Sequence, residues 1–446
     1  MQIHTPDGEG MHRIVIVGGG AGGLELATLL GDSLGKQRSA HITLIDKNRT
    51  HIWKPMLHEI ASGSMDYTLH EIDYLAQAHW HHFRYRIGAM SKVDRTQRLV
   101  FIDSHTDEDG DTVTPDRAIP YDTLVVAIGS RTHDFNIPGV AEHAIQMDTA
   151  EQAERFHRKL VNAFIRANAQ PQDLQAGQLQ VAIIGAGATG VELAAELHKS
   201  VRALVTYGLE RIDADRDVTL NLIEAAPRIL PALPERIAGE AMRILNKLQV
   251  NVRTNARVSG VQADGVQLAS GEFIPAELVV WAAGIRSFVC LQNMDNLEIN
   301  GINQLLVKPT LQTTLDENIF AFGDCAAAPW LGKDAGTLVP PRAQAAHQQA
   351  MHLTQQLHHR LDGKPLKDFQ YQDFGSLISL GENWAAGGLM GNLAQGTLFV
   401  EGYIARFMYN MLYKKHQFGL HGFWKVALDT VSGFIRRKTT PRIKLH

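Results

Sequence analysis

The 446-residue chain reads as an α/β protein built on two Rossmann-like dinucleotide-binding domains. Three observations predict this class. A β-branched run, RIVIV, leads straight into GGGAGG (Gly18–Gly23) and then a helical stretch. The same order recurs at QVAII and GAGATG (Gly185–Gly190). Each glycine motif is followed by a second apolar strand that ends in an acid, Asp46 or Glu224. Strand, glycine turn, helix and acid-tipped strand together form the βαβ unit that grips a dinucleotide.

In the first motif each glycine has its own task. Gly18 permits the tight turn, Gly20 lets a pyrophosphate approach the backbone, and Gly23 lets the helix pack closely on the sheet. Ala21 and Gly22 lie at the start of the helix, whose N-terminus faces the phosphates. LELATLLGDSL has helical periodicity, and HITLID (His41–Asp46) is the second strand, with Asp46 placed to accept from a ribose hydroxyl. The second motif repeats the spacing with Gly185, Gly187 and Gly190, then VELAAELHKSV as helix and VTLNLIE (Val218–Glu224) as strand. A long insertion delays its acid. Glu224 would accept from a 2′-hydroxyl and repel a 2′-phosphate, which favours NADH over NADPH. Two fingerprints about 170 residues apart imply two dinucleotides held at once, most simply a flavin and a nicotinamide one.

The remaining apolar segments fit that plan. YDTLVVAIGS (Tyr121–Ser130) and AELVVWAAGI (Ala276–Ile285) read as buried strands ending in small-residue turns. Ala127 and Gly129 in the first, and Ala283 and Gly284 in the second, would let backbone lie close to a bound ring. NIFAFGDCA (Asn318–Ala326) is a strand meeting a Gly-Asp turn, with Asp324 placed to accept from a sugar-like chain. In PPRAQAAHQQA (Pro340–Ala350) two prolines predict the first turn of a helix, since their fixed φ suits it and no N–H is needed there. Gln344 and Gln348 share one face of that helix, amid small residues such as Ala343. Periodicity alone would make them two solvent-facing glutamines.

Composition bounds the partners. Hydrophobic residues are 45% and charged residues 20%, an ordinary globular mix, and the net charge of −4 implies no bulk polyanion and no nucleic acid. From Tyr403 onward, nine Lys/Arg face one acid, Asp429, so the tail carries about +8 and the rest about −12. Phe407, Met408, Met411 and Leu412 form one apolar face there; Trp424, Leu428, Val431 and Ile435 form another. Lys414, Lys415, Lys425, Arg436, Arg437 and Lys438 flank them. This pattern predicts amphipathic helices lying on a membrane lipid surface. A helical hairpin packed on the body or on a second subunit, making a homodimer, is compatible with it.

No apolar run is long enough to cross a bilayer. Asn383–Val400, broken by four glycines, reads as short strands and turns. The N-terminus is polar and reads as no signal peptide, with Met1 and Met11 both open as starts. Cys290 and Cys325 form no CxxC, which argues against a disulfide framework, a zinc ribbon or a dithiol centre and fits a reducing compartment. No metal is expected. DEDGDT (Asp107–Thr112) lacks the EF-hand spacing and reads as a hairpin turn at Asp109-Gly110. HWHH (His79–His82) and His347, His352, His358 and His359 have no acid or cysteine companions at ligand spacing.

At this point the chain resembles the two-dinucleotide-binding flavoprotein superfamily and, within it, the bacterial type II NADH dehydrogenases, the non-proton-pumping NADH:quinone oxidoreductases. The resemblance rests on HIWKPMLHEIASGSMD (His51–Asp66), GAGATGVELAAEL, IEAAPRILPALPE (Ile223–Glu235) and PPRAQAAHQQA. With the two fingerprints it spans roughly residues 12–350. It implies an FAD-binding domain with an inserted NADH-binding domain: 1–135 and 301–365 for non-covalent FAD, 136–300 for NADH, and 366–446 for C-terminal strands and membrane-associating helices. It also implies that the AQxxxQ stretch lies where flavin, nicotinamide and quinone meet.

Carried over by position, Gly18, Gly20, Ala21, Gly22, Gly23, Asp46, Lys54, Ala127, Gly129, Asp324 and Ala343 would hold FAD. Gly185, Gly187, Gly190, Glu224, Ala283 and Gly284 would bind NADH. Gln344 and Gln348 would border the quinone, and Glu192 would lie on the nicotinamide side, either as an ordinary first-turn acid or as a proton relay. Two departures stand out: Ile128 replaces the Thr of many relatives, and His347 lies inside AQxxxQ. The implied protein is a peripheral one on the cytoplasmic face of the inner (plasma) membrane, moving two electrons from NADH to quinone. The rivals are a sulfide:quinone oxidoreductase, which needs a spaced pair of reactive cysteines, and a slow-turnover NADH-sensing flavoprotein.

Overall fold

The computed structural model describes residues 10–380, the strands Gln2–Ile3, Ala385–Leu389 and Leu398–Glu401, and single positions between Met411 and Lys444. The chain divides into two units. The first is Met1–Trp53, His70–Arg131 and Ile285–Asp373; the second is Lys54–Leu69, Thr132–Gly284 and Phe374–His446.

The first unit is organised by a five-stranded parallel sheet. Its spatial order is Ile319–Ala321, Thr123–Val126, His12–Val17, Ala40–Asp46, Arg84–Ile87. The strand bearing the glycine turn is thus central, and the chain steps outward from it in both directions, which opens a crevice at the strand ends. Ile16, Leu44, Leu124, Val125, Val126 and Phe320 are fully buried, as expected of strands covered on both faces. The helix Ala21–Leu30 packs against the helix Ala343–Leu361. A smaller antiparallel sheet holds Met90–Asp94, Leu99–Ile102 and Arg117–Pro120, with Gln2–Ile3 added in parallel. The acidic DEDGDT run is a hairpin turn: the Asp107 carboxylate accepts the amides of Asp109 and Asp111 at 3.1 and 2.8 Å, and Gly110 takes φ +88°.

The prolines of PPRAQAAHQQA stand before the helix, not in its first turn. Arg342 is the N-cap, extended at φ −143° and ψ 149°, and the helix runs Ala343–Leu361. Proline disfavours helical backbone in the residue preceding it, so Pro341 pushes Pro340 toward an extended conformation. The Arg342 carbonyl accepts the first intrahelical bonds, from Ala345 and Ala346 at 3.0 and 3.1 Å.

The second unit repeats the plan. Its parallel sheet runs Ala144–Gln146, Leu278–Trp281, Gln180–Ile184, Thr219–Ile223, Asn251–Arg253. A three-stranded antiparallel sheet, Val258–Gln262, Gly265–Leu268 and Phe273–Pro275, packs its apolar face onto Ala182, Ile223 and Trp281. The helix Ala150–Ala169 opens with a full capping box, Thr149 and Gln152 satisfying each other's amides. The short helix Leu57–Ser62 packs on both Ala150–Ala169 and Ala188–Thr206.

The glycine-broken stretch after Asn383 contains two strands. They join Gly375–Ser379 in an antiparallel sheet of order Gly375–Ser379, Ala385–Leu389, Leu398–Glu401. Of the predicted apolar tail faces, Phe407, Met408, Leu412, Trp424, Val431 and Ile435 lie outside the described residues, as do Lys415, Lys425, Arg436, Arg437 and Lys438. Met411 and Leu428 are described, at 42% and 71% exposure. Among the described residues no helix is long and apolar enough to cross a membrane.

Candidate functional site

In the first unit the glycine turn is built by close contacts that only glycine allows. Gly18 adopts φ +103°, and a Cβ there would fall 2.4 Å from the Ala127 carbonyl oxygen. A Cβ at Gly23 would lie 1.8 Å from the Gly18 carbonyl oxygen. At Gly20, by contrast, nothing lies within 4 Å. The helix Ala21–Leu30 starts there with no side-chain cap and no acid in its first turn. Its N-terminal amides and positive dipole therefore face open space, and an anionic pyrophosphate fits that cradle.

Asp46 closes the turn. Its Oδ2 accepts the Gly19 amide at 2.7 Å and its Oδ1 the Asn48 amide at 2.8 Å. Burial pushes this carboxyl up from its ordinary value, against the pull of those two amides. The Gly19 carbonyl is held in turn by the Tyr74 hydroxyl at 2.7 Å and by His51 Nδ1 at 2.9 Å. Burial also pushes the Tyr74 phenol well above its usual range, so the hydroxyl remains a donor.

Around the Gly-Asp turn, Ser130 Oγ donates to Asp324 Oδ2 at 2.8 Å and Gln304 donates to the Asp324 carbonyl at 2.9 Å. Ala127 is buried beside Gly18, while Gly129 takes φ +73° and its carbonyl accepts from Ser287 at 3.0 Å. Gln349, on the Ala343–Leu361 helix, accepts the Gly323 amide at 2.8 Å and ties this turn to that helix. Ala343 is the first residue of that helix, which has no side-chain cap and no acid in its first turn.

Gln344 and Gln348 both meet the segment that follows this helix. Gln344 Nε2 donates to Asp373 at 3.3 Å. Gln348 pairs with the Gln372 backbone in both directions, donating to its carbonyl at 2.8 Å and accepting its amide at 3.0 Å. His347, between them, contacts the buried Glu25 carboxylate at 2.7 Å.

The second unit reproduces the turn atom for atom in several respects. Gly185 has φ +99°, a Cβ at Gly190 would fall 1.9 Å from the Gly185 carbonyl oxygen, and the space at Gly187 is open. Its helix, Ala188–Thr206, also starts without a cap or a first-turn acid. Glu224 takes the place of Asp46: Oε2 accepts the Ala186 amide and Oε1 the Ala226 amide, each at 2.8 Å. Ala283 accepts the His133 amide at 3.3 Å, and Gly284 at φ +66° leaves no room for a Cβ beside Phe135. Glu192 is buried, with Oε1 accepting the Ser379 amide at 3.0 Å. Lys54 belongs to this unit, exposed at the start of a short turn.

Sequence reasoning missed Tyr74, His51, Ser130, Gln304 and Gln349, because no periodicity marks a side chain that reaches a turn tens of residues away. Both cysteines are free; burial pushes the Cys325 thiol up to about 12, and Cys290 is raised for the same reason. Neither has the character of a thiolate nucleophile. Among the described residues no group of three or more His, Cys, Asp or Glu could hold a metal ion.

Residues 12–350 match the pyridine nucleotide-disulphide oxidoreductase family. The type II NADH:quinone oxidoreductase of Haemophilus influenzae is 43% identical, over 98% of this chain and 100% of its own length. Among solved structures, NDH2 from Plasmodium falciparum in complex with NADH superposes with a TM-score of 0.79 at 19% identity, covering 98% of this chain and 99% of that one. The sulfide:quinone oxidoreductase of Aquifex aeolicus shares the fold more loosely, with a TM-score of 0.69, 18% identity and 92% of each chain.

Proposed function

This chain belongs to the type II NADH:quinone oxidoreductases, and we propose that its two glycine motifs divide the reaction between a resident flavin and an exchanging NADH. The enzyme uses FAD and NADH and passes two electrons from NADH to a quinone. The observation that carries the division is the difference in anchoring: each turn is held by a carboxylate, and the first is clamped in addition by the buried Tyr74 and His51 side chains, whereas among the described bonds the matching carbonyl of the second takes only a backbone amide.

In this reading Gly18, Gly20, Ala21, Gly22 and Gly23 form the pyrophosphate cradle of FAD, and Asp46 meets its ribose. Asp324 meets the sugar-like chain, and Ala127, Gly129 and Ala343 let backbone approach the ring. FAD, when bound, supplies the centre that accepts the hydride and returns the electrons. The uncapped start of the Ala343–Leu361 helix favours negative charge beside it without a fixed cation. Gly185, Gly187 and Gly190 cradle the NADH pyrophosphate, with Ala283 and Gly284 beside its ring. Glu224 selects the 2′-hydroxyl, because its charge would repel a 2′-phosphate.

Gln344 and Gln348 border the quinone as neutral amides, which cost less to desolvate than charges. Glu192 holds and passes the proton that quinone reduction requires beyond the hydride, a role supported by the burial of its carboxylate on the helix that follows the second glycine turn. The basic, apolar tail from Tyr403 docks on the anionic cytoplasmic face of the membrane, where a lipophilic quinone is at hand. The same tail would serve a homodimer.

The test is anaerobic stopped-flow absorbance of the FAD-loaded protein. Mixing with NADH bleaches the flavin band at about 450 nm, and a short-chain quinone restores it, with NADPH far slower than NADH. Bleaching that no quinone reverses would leave the sensor reading. A flavin bleached by sulfide and not by NADH would overturn the assignment.

A further inference from the structure

The second unit places beside Glu192 a buried histidine, His58, to which no role has yet been given. His58 sits on the helix Leu57–Ser62, 1% exposed, with Nδ1 3.7 Å from Glu192 Oε2. Glu192, 6% exposed, holds the Ser379 amide with its other oxygen. His58 Nε2 is buried and has no hydrogen-bond partner, while its ring also meets the Pro55 carbonyl. A carbonyl accepts, so the nitrogen facing Pro55 carries the proton; with Nε2 unpartnered, that nitrogen is Nδ1, the one turned toward Glu192.

We infer that His58 is a positioning residue for Glu192: its Nδ1–H, bonded to the Pro55 carbonyl and turned toward Oε2 at 3.7 Å, favours the ionised carboxylate. This inference rests on the proton-relay reading of Glu192 for its functional meaning. The contact is longer than a hydrogen bond and becomes one on a shift of less than an ångström. The ring stays neutral, since burial pushes His58 down to about 4. It therefore acts as a dipole and not as a second charge.

Other charged groups on the surrounding elements are engaged elsewhere or distributed around the pair. Glu196, further along the Glu192 helix, lies 3.8 Å from Lys199. Glu154 and His157, on Ala150–Ala169, meet Lys444, whose Nζ is 3.6 Å from Glu154 and whose carbonyl is 2.6 Å from His157. Lys54 and Glu59 lie on the turn and helix that carry His58.

The experiment uses full-length, FAD-loaded enzyme. Infrared spectroscopy follows the protonated-carboxyl band of Glu192, identified by its loss in Glu192→Gln, across a pH series. Removing a donor from a carboxylate raises its affinity for protons, so His58→Leu should retain the band to about one pH unit higher, roughly a tenfold change in proton binding. The acidic limb of the quinone-reduction profile should move the same way. His58→Asn carries an N–H close to the Nδ1 position and should restore the wild-type titration. If His58→Leu fails to fold, His58→Gln serves, because its amide reaches past that position while keeping the polar volume.

Titration of His58→Leu or His58→Gln together with wild type would overturn the inference. So would a His58→Asn variant that shifts as far as His58→Leu, since packing would then be the cause. A Glu192→Gln enzyme with an unaltered activity profile would instead remove the relay reading, and the infrared shift would still decide the role of His58.

Discussion

The two glycine turns follow the same path through the chain yet are held in different ways. In the first, the carbonyl after the leading glycine accepts from Tyr74 and His51, both buried, at 2.7 and 2.9 Å. In the second, the matching Ala186 carbonyl accepts only a backbone amide among the described bonds, that of Leu230 at 2.8 Å. Position 19 must be glycine because a Cβ there would fall 2.4 Å from the Tyr74 hydroxyl; position 186 tolerates alanine. On the proposed division of cofactors, the same fingerprint is tuned from a fixed seat to an exchangeable one by what packs behind it. A cofactor that stays through many turnovers benefits from the clamp, and a substrate that must leave does not.

The sharpest way to break this comparison is to fill the third glycine of each motif. Gly23→Ala and Gly190→Ala would each drive a methyl into a carbonyl oxygen at 1.8 and 1.9 Å. Such overpacking costs about 3 kcal/mol or more where backbone cannot retreat. Gly23→Ala should emerge without flavin and poorly folded, read by its absorbance spectrum and melting curve. Gly190→Ala should keep its flavin spectrum while its KM for NADH rises about 100-fold, on the same energetic scale. Loss of flavin from both variants would mean that the units do not divide the cofactors in this way.

A subtler variant tests the clamp alone. Tyr74→Phe removes one buried donor and leaves His51 in place, which costs about 1–2 kcal/mol. The expected result is faster flavin release on dilution and a melting point lower by a few degrees, with the KM for NADH unchanged. A change in the NADH constant and none in flavin retention would reverse the roles assigned to the two turns.

These cases also mark what the sequence could and could not disclose. The turns themselves were legible because GGGAGG and GAGATG encode local backbone needs within six residues, and the acids at Asp46 and Glu224 follow from strand length. Tyr74 was not legible. It reaches Gly19 across 55 positions, and nothing in the alternation of its own helix points there. The prolines of PPRAQAAHQQA signalled a helix start correctly in kind and misjudged its place by three residues, Pro340 against Ala343, because an extended Arg342 intervenes. Gln349 was overlooked beside Gln344 and Gln348, although it bonds the Gly-Asp turn. Side-chain tasks set by long-range approach leave no periodic trace.

The smallest expected effect concerns how each first strand is tied to its neighbour. In the first unit Asp122, just before Thr123–Val126, takes the Arg13 guanidinium at 2.7 and 2.9 Å and the Arg13 amide at 2.8 Å. In the second, Glu277 stands at the same point of the plan, before Leu278–Trp281. It takes the Leu179 amide at 3.0 Å but draws its arginine, Arg166, from a helix at 2.6 Å. Arg13 holds the Asp122 carboxyl below its ordinary value near 3.8, chiefly through that hydrogen bond. A depressed carboxyl contributes stability that is present above the unfolded value and is lost as pH falls through the folded one.

Asp122→Asn should therefore lower stability by about 1 kcal/mol at neutral pH, a figure already reduced for partial exposure. The gap to wild type should narrow below about pH 4 as the native carboxylate is protonated. Glu277→Gln, whose arginine partner is 63% exposed, should cost less than half as much. Melting curves across pH decide it. A gap for Asp122→Asn that stays constant into acid would mean that the backbone bond, and not the ion pair, ties the strands, and the two units would then be fastened alike.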